Sequence, residues 1–168
     1  MRIAGIDPDS HSITAFVVEE DYEASQSLRL RYRFEAKGRR AEDRFLALVA
    51  DLQKNLPGTF LATCDYIYVE RPFVGPNRRA AIDVGMVVGA LRAELERLGI
   101  PHSLVDPAVW KTNVLGTSRV SKEEIKAWAI VRFGLDADLA QDYFDAACIA
   151  AYGLTRLASG NGKRPSLP

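Results

Sequence analysis

Arg2-Ile3-Ala4-Gly5-Ile6-Asp7-Pro8-Asp9-Ser10 opens the chain with an apolar run that halts at a cluster of turn formers. The run predicts a buried strand over 2–6, with Asp7 at its carboxyl end. Working outward, Ile13 to Val18 reads as a second strand, and Glu19-Glu20-Asp21 begins a solvated turn. Leu28-Arg29-Leu30-Arg31-Tyr32-Arg33-Phe34 then alternates strictly. Leu28, Leu30, Tyr32 and Phe34 share one face of that strand, and Arg29, Arg31 and Arg33 the other. The three strands predict an antiparallel meander whose arginine face resists edge pairing.

Past the meander the period changes. Phe45, Leu46, Leu48, Val49 and Leu52 recur at helical spacing from Arg40 to Asn55, and Pro57-Gly58 stops that helix. Asp65 to Glu70 is a β-branched and aromatic run ended by Arg71-Pro72, since proline cannot continue a central strand. A second helix is expected over 78–98, closing at Gly99, and a fifth strand over 101–105. Ser121-Lys122-Glu123-Glu124 is a capping box for a helix carrying Ile125, Trp128 and Ala129. A last helix over 139–157 ends at Gly160. The order βββ-α-β-α-β-α-α predicts an α/β fold: a mixed five-stranded sheet, three antiparallel strands plus parallel strands, flanked by helices. One domain over 1–158 and a short, polar, disordered tail over 159–168 are expected.

Composition narrows the function. The 168 residues are 48% hydrophobic and 26% charged, the balance of a soluble globule. Twenty-two basic residues meet 22 acidic ones, so bulk positive charge cannot hold nucleic acid and any such contact must use local patches. Cys64 and Cys148 are too few for a disulfide framework or a zinc knuckle. His11 and His102 have no ligand spacing. The start shows no signal-peptide pattern and no apolar run is long enough for a bilayer, so a cytoplasmic protein without membrane partners is expected.

Four carboxylates stand out. Asp7 and Glu70 each close a strand at its carboxyl end, where ligands collect in open α/β sheets. Asp142 and Asp145 share one face of the last helix, continued by Ile149, with no lysine or arginine at helical spacing to neutralise them. Acids on such a stripe are costly unless a cation lies opposite, and magnesium takes oxygen ligands of this kind. Two such ions about 4 Å apart cleave phosphodiesters by activating water and stabilising the leaving oxygen. Taken singly, each acid also suits a plainer role. Asp7 could be a turn residue, Asp142 an acid favoured by the helix dipole, and Glu70 a surface partner of Arg71 or Arg78.

Gly5-Ile6-Asp7-Pro8-Asp9-Ser10, Tyr68-Val69-Glu70-Arg71-Pro72-Phe73 and Asp142-Tyr143-Phe144-Asp145-Ala146-Ala147, with Ile149-Ala150, together resemble the RuvC family of Holliday junction resolvases. Order and intervals fit from Met1 to about Leu157. The resemblance implies a ribonuclease-H-like fold and a homodimeric endodeoxyribonuclease that resolves four-way DNA junctions by paired symmetric nicks. It also implies two magnesium ions per active site, with manganese as a substitute. Asp7 would bridge the metals, Glu70 would orient the attacking-water side, and Asp142 and Asp145 would complete the sites. Phe73 would probe the junction centre, with Arg71, Arg78 and Arg79 holding phosphates. Lys111 and Lys122 match basic residues flanking a mobile loop, and the helix with Gly85 and Gly89 would lie near the dimer axis.

The residues leave alternatives open. Phe73 could be a core residue, both lysines solvated surface, and the glycine pair a packing strip against the sheet. Asp9 stands where many bacterial members have glycine, and aspartate tolerates a left-handed turn. Two prolines and three arginines in 71–79 point to a phage-type or divergent member. An actin-like phosphotransferase shares the Gly-Ile-Asp start, but 168 residues cannot supply two such lobes. A nuclease of the same fold acting on forks, flaps or RNA, and a non-catalytic junction-binding module, remain as alternatives.

Overall fold

The meander forms as β1 (Arg2–Pro8), β2 (Ser12–Glu19) and β3 (Leu28–Glu35), each pair antiparallel, in a computed structural model. The structure describes residues 1–19, 28–38, 40–73, 75 and 77–158, so the expected turn after Glu19 and the tail from 159 lie largely or wholly outside the described residues. β1 also pairs in parallel with β4 (Tyr66–Glu70), and β4 in parallel with β5 (His102–Val105). The sheet order is β3-β2-β1-β4-β5, the mixed arrangement expected.

Helices cover both faces. α1 (Ala41–Asn55) and α2 (Arg78–Arg97) bury Leu48, Leu52, Val87 and Leu91 against Ala4, Ile6, Ile13, Ala15 and Phe34. On the other face, α3 (Pro107–Leu115), α4 (Lys122–Phe133) and α5 (Gln141–Ala158) bury Trp110, Ile125, Phe144 and Ile149 against Ile3, Phe16 and Val18. Strands covered on both faces need apolar residues at successive positions, which is why β1 and β2 read as continuous apolar runs.

α3 was not expected. It lies between β5 and the capping-box helix, where no apolar period announces it. Its punctuation is nonetheless legible: Pro107 sits in its first turn, and Gly116 closes it at φ 82° in the left-handed region. The capping box forms as expected, Ser121 Oγ accepting from Glu124 N and Glu124 Oε2 accepting from Ser121 N.

Close approach of α5 to β1 fixes the height of the last helix. A Cβ at Gly5 would overlap Ala146 O and Ala150 N and stand 2.8 Å from the Ile149 carbonyl carbon. Only glycine admits the helix backbone this near the strand. The Pro8–Ser12 turn is held by Asp9 N donating to Ser12 O at 2.8 Å, and Asp9 Oδ1 accepts from Ser10 N. No described residue other than glycine has a positive φ, so Asp9 makes this turn without a left-handed conformation.

Candidate active site

Parallel pairing of β1 with β4 sets Ile6 opposite Val69, so the next residues, Asp7 and Glu70, stand side by side at the carboxyl edge of the sheet. α5 crosses the same face, held down at Gly5, and brings Asp142 and Asp145 over that edge. The four acids act on one another. Burial pushes the Asp7 carboxyl well above the usual carboxylate range, and the charges of Glu70, Asp145, Asp142 and Asp9 push it further. Asp145 is raised chiefly by burial, with Asp142 adding to the shift while Gln141, Lys111 and Lys122 oppose it. Glu70 is raised by burial and by Asp145, against a hydrogen bond from Trp110 and the charge of Lys111. Mutual elevation of this kind marks carboxylates sharing a desolvated space.

Asp7, Glu70, Asp142 and Asp145 therefore converge, although they come from three elements and opposite ends of the chain. The plainer role of Asp7 as a turn residue gives way, since it lies inside β1. Glu70 does not pair with Arg71, which binds Asp106 at 2.9 Å instead. Among the described residues no three His, Cys, Asp or Glu side chains are drawn tightly enough together to enclose an ion. The donor set is nonetheless all carboxylate oxygen, the chemistry that magnesium and manganese take, and its charge repulsion is what a divalent ion would relieve.

Two residues bind these acids and escaped the sequence reading. Trp110 Nε1 donates to Glu70 Oε2 at 2.7 Å from α3, the helix that was not expected. Arg33 Nη1 donates to Asp142 Oδ2 at 2.8 Å. Asp142 thus has a cation of the chain opposite it, supplied from a strand and not at helical spacing along α5. The arginines of β3, expected as a charged face that resists edge pairing, also make contacts within the fold. Arg29 donates to Phe133 O and lies over its ring, and Arg31 lies 6.0 Å from the Tyr143 ring centroid, so all three lean over α4 and α5. The signal was in the register: Arg33 pairs Thr14, Thr14 pairs Asp7, and neighbours across strands share a face.

Of the basic candidates, Lys111 acts on Glu70 and Asp145, and Lys122 on Asp145, so neither is remote surface. Lys111 Nζ also lies over the Trp110 ring, 5.3 Å from its centroid. Phe73 is 75% exposed and is not a core residue. It borders a groove of about 350 Å³ that also touches Pro8, Glu70 and Ala81, so of the four acids it is Glu70 that this groove reaches. Arg78 and Arg79 are exposed at the start of α2. A Cβ at Gly85 or Gly89 would meet nothing within 4 Å, so these glycines are not a packing strip against the sheet.

A five-stranded mixed sheet flanked by helices, with carboxylates gathered at the ends of its first and fourth strands and on its last helix, is a ribonuclease-H-like fold. No protein-family model matches the chain. Over 97 residues, 57% of the chain, it is 36% identical to the crossover junction endodeoxyribonuclease RuvC of Chlorobaculum parvum, spanning about half (52%) of that relative's length. It is 27% identical over 150 residues, covering 89% of the chain, to the RuvC of Trichlorobacter lovleyi, and spans 83% of that protein. Thermus thermophilus RuvC, solved in complex with a Holliday junction substrate, superposes with a TM-score of 0.78 at 23% identity, over 95% of this chain and 96% of that one. The chain is similar in sequence to these RuvC proteins and shares the fold of the solved one.

Proposed function

We propose that the chain is a structure-selective DNA endonuclease that resolves four-way junctions by paired symmetric nicks. The observation that carries this is the meeting of Asp7 and Glu70 at the carboxyl edge of the sheet with Asp142 and Asp145 of α5, an acidic cleft whose oxygen donors suit divalent cations. Two magnesium ions held by these four carboxylates, with manganese as a substitute, would activate water and stabilise the leaving oxygen. Asp7 stands centrally, raised by all three partners, which suits a bridging role. Glu70, fixed by the Trp110 indole, suits the attacking-water side.

Substrate selection falls to the rim. Exposed Phe73 beside the acidic cleft is suited to stacking on an unpaired base, with Arg71, Arg78 and Arg79 on phosphates. Lys111 and Lys122 soften the acidic field around Asp145 and give phosphate oxygens a partner. Paired nicks need two such sites, and α2 offers a surface for a second copy. Ile82 is 62% and Met86 47% exposed beside the open strip of Gly85 and Gly89, an apolar face that a homodimer would cover.

Single-turnover cleavage of a labelled four-way junction, beside fork, flap, duplex and RNA–DNA substrates, tests the assignment. Preference for the junction supports it. Faster cutting of forks, flaps or RNA hybrids would move the activity to another substrate of the same fold.

A further inference from the structure

Arg33 has a built seat. Its Nη1 donates at 2.8 Å both to Thr14 Oγ1 and to Asp142 Oδ2, and its Nη2 donates to Ser12 Oγ at 3.3 Å. Ser12 and Thr14 are the two buried polar residues of β2, an otherwise apolar strand. A buried hydroxyl needs a hydrogen-bond partner, and both of these find one in Arg33. On the other side of the guanidinium, Nε lies 3.5 Å from the exposed Glu35 carboxylate. The arginine thus stands between two acids, Asp142 at 2.8 Å and the exposed Glu35 at 3.5 Å, on a support of two buried hydroxyls.

We propose that Arg33 is a positioning residue that stands in for a divalent cation beside Asp142, so that ion binding and release of the Arg33–Asp142 pair are coupled. The proposal rests on the metal-dependent reading of the four carboxylates. Without an ion, Arg33 offsets part of the repulsion that Asp142 shares with Asp7 and Asp145. An arriving ion competes with Arg33 for Asp142 Oδ2 and meets a like charge beside it. Arg33 therefore lowers ion affinity and stabilises the ion-free protein. After the ion binds, the guanidinium keeps Ser12 and Thr14 and has Glu35 as its remaining carboxylate. A purely structural bridge would predict the reverse, because breaking it would loosen Asp142 and weaken ion binding.

Manganese binding to the DNA-free protein separates these cases, read by calorimetry and by the paramagnetic resonance of free ion. Arg33→Gln should tighten binding at least tenfold, Arg33→Lys should fall between that variant and the unaltered protein, and Asp7→Asn should lose binding. Added manganese should also raise the melting temperature of Arg33→Gln more than that of the unaltered protein, a readout that holds even if the variant is less stable. Unchanged or weaker binding by Arg33→Gln, with binding lost in Asp7→Asn, would overturn the role of Arg33 while leaving the carboxylate reading intact. Binding untouched by Asp7→Asn would overturn that reading, and the proposal with it.

Discussion

The indole Nε1 of Trp110 stands 2.7 Å from Glu70 Oε2, tying a core residue of α3 to the carboxylate that closes β4. Trp110 is 1% exposed, so the donor cannot be replaced by water without opening the core. The bond favours ionised Glu70 and holds its Oε2. Replacing Trp110 with phenylalanine keeps an aromatic ring and removes the donor. A hydrogen bond to a charged group contributes about 1.5 kcal/mol or more, so Trp110→Phe should slow single-turnover cleavage roughly tenfold. Junction affinity measured in calcium should hold.

Stability of the ion-free protein should depend on pH in an unusual direction. Asp7, Glu70 and Asp145 all bind protons more tightly when folded than their ordinary values imply. The folded state then holds more protons than the unfolded chain between those ordinary values, about 4, and the raised ones. This contribution is fully present at the acidic end of that window and is lost as pH rises through the raised values. With chelator present, the melting temperature should fall on going from mildly acidic to neutral pH. Asp7→Asn should flatten the dependence, and magnesium should restore stability at neutral pH.

Gly5 tests how α5 is placed. A methyl group there meets helix backbone rather than a flexible side chain, so the helix must move. Gly5→Ala should cost about 3 kcal/mol in denaturant unfolding, the upper end for overpacking. Cleavage should fall further than stability alone explains, because Asp142 and Asp145 ride on the displaced helix.

The α2 face makes a separate prediction. Ile82 and Met86 are exposed, so Ile82→Glu with Met86→Glu should change the fold's stability by about 0.5 kcal/mol or less. If that face joins two copies, sedimentation should show a monomer. Junction cutting should then shift from paired to single nicks.

Much of this site was legible before the structure. Asp7 and Glu70 were placed by strand ends, and Asp142 and Asp145 by a shared helix face; these are local signals. Arg33 was harder. Alternation put it on a face with Arg29 and Arg31 but not against α5, because a strand pattern names two faces and not what covers them. Only the register through Thr14 to Asp7 shows that this face leads into the cleft. Trp110 was missed with its helix, whose residues lack an amphipathic period. There the proline at its start and Gly116 at its end were the readable marks. Convergence of the four acids depends on parallel pairing of β1 with β4 and on the glycine contact of β1 with α5, both long-range facts.

The most direct measurement is cleavage of an end-labelled four-way junction in magnesium by the protein and by Asp7→Asn. Asp7 is the carboxylate raised by all the others, so its loss should remove the centre of the cation site. Paired symmetric nicks by the unaltered protein, with Asp7→Asn binding the junction yet leaving it uncut, are expected. Cutting by Asp7→Asn at an undiminished rate would show that the four-carboxylate cleft is not where the chemistry happens.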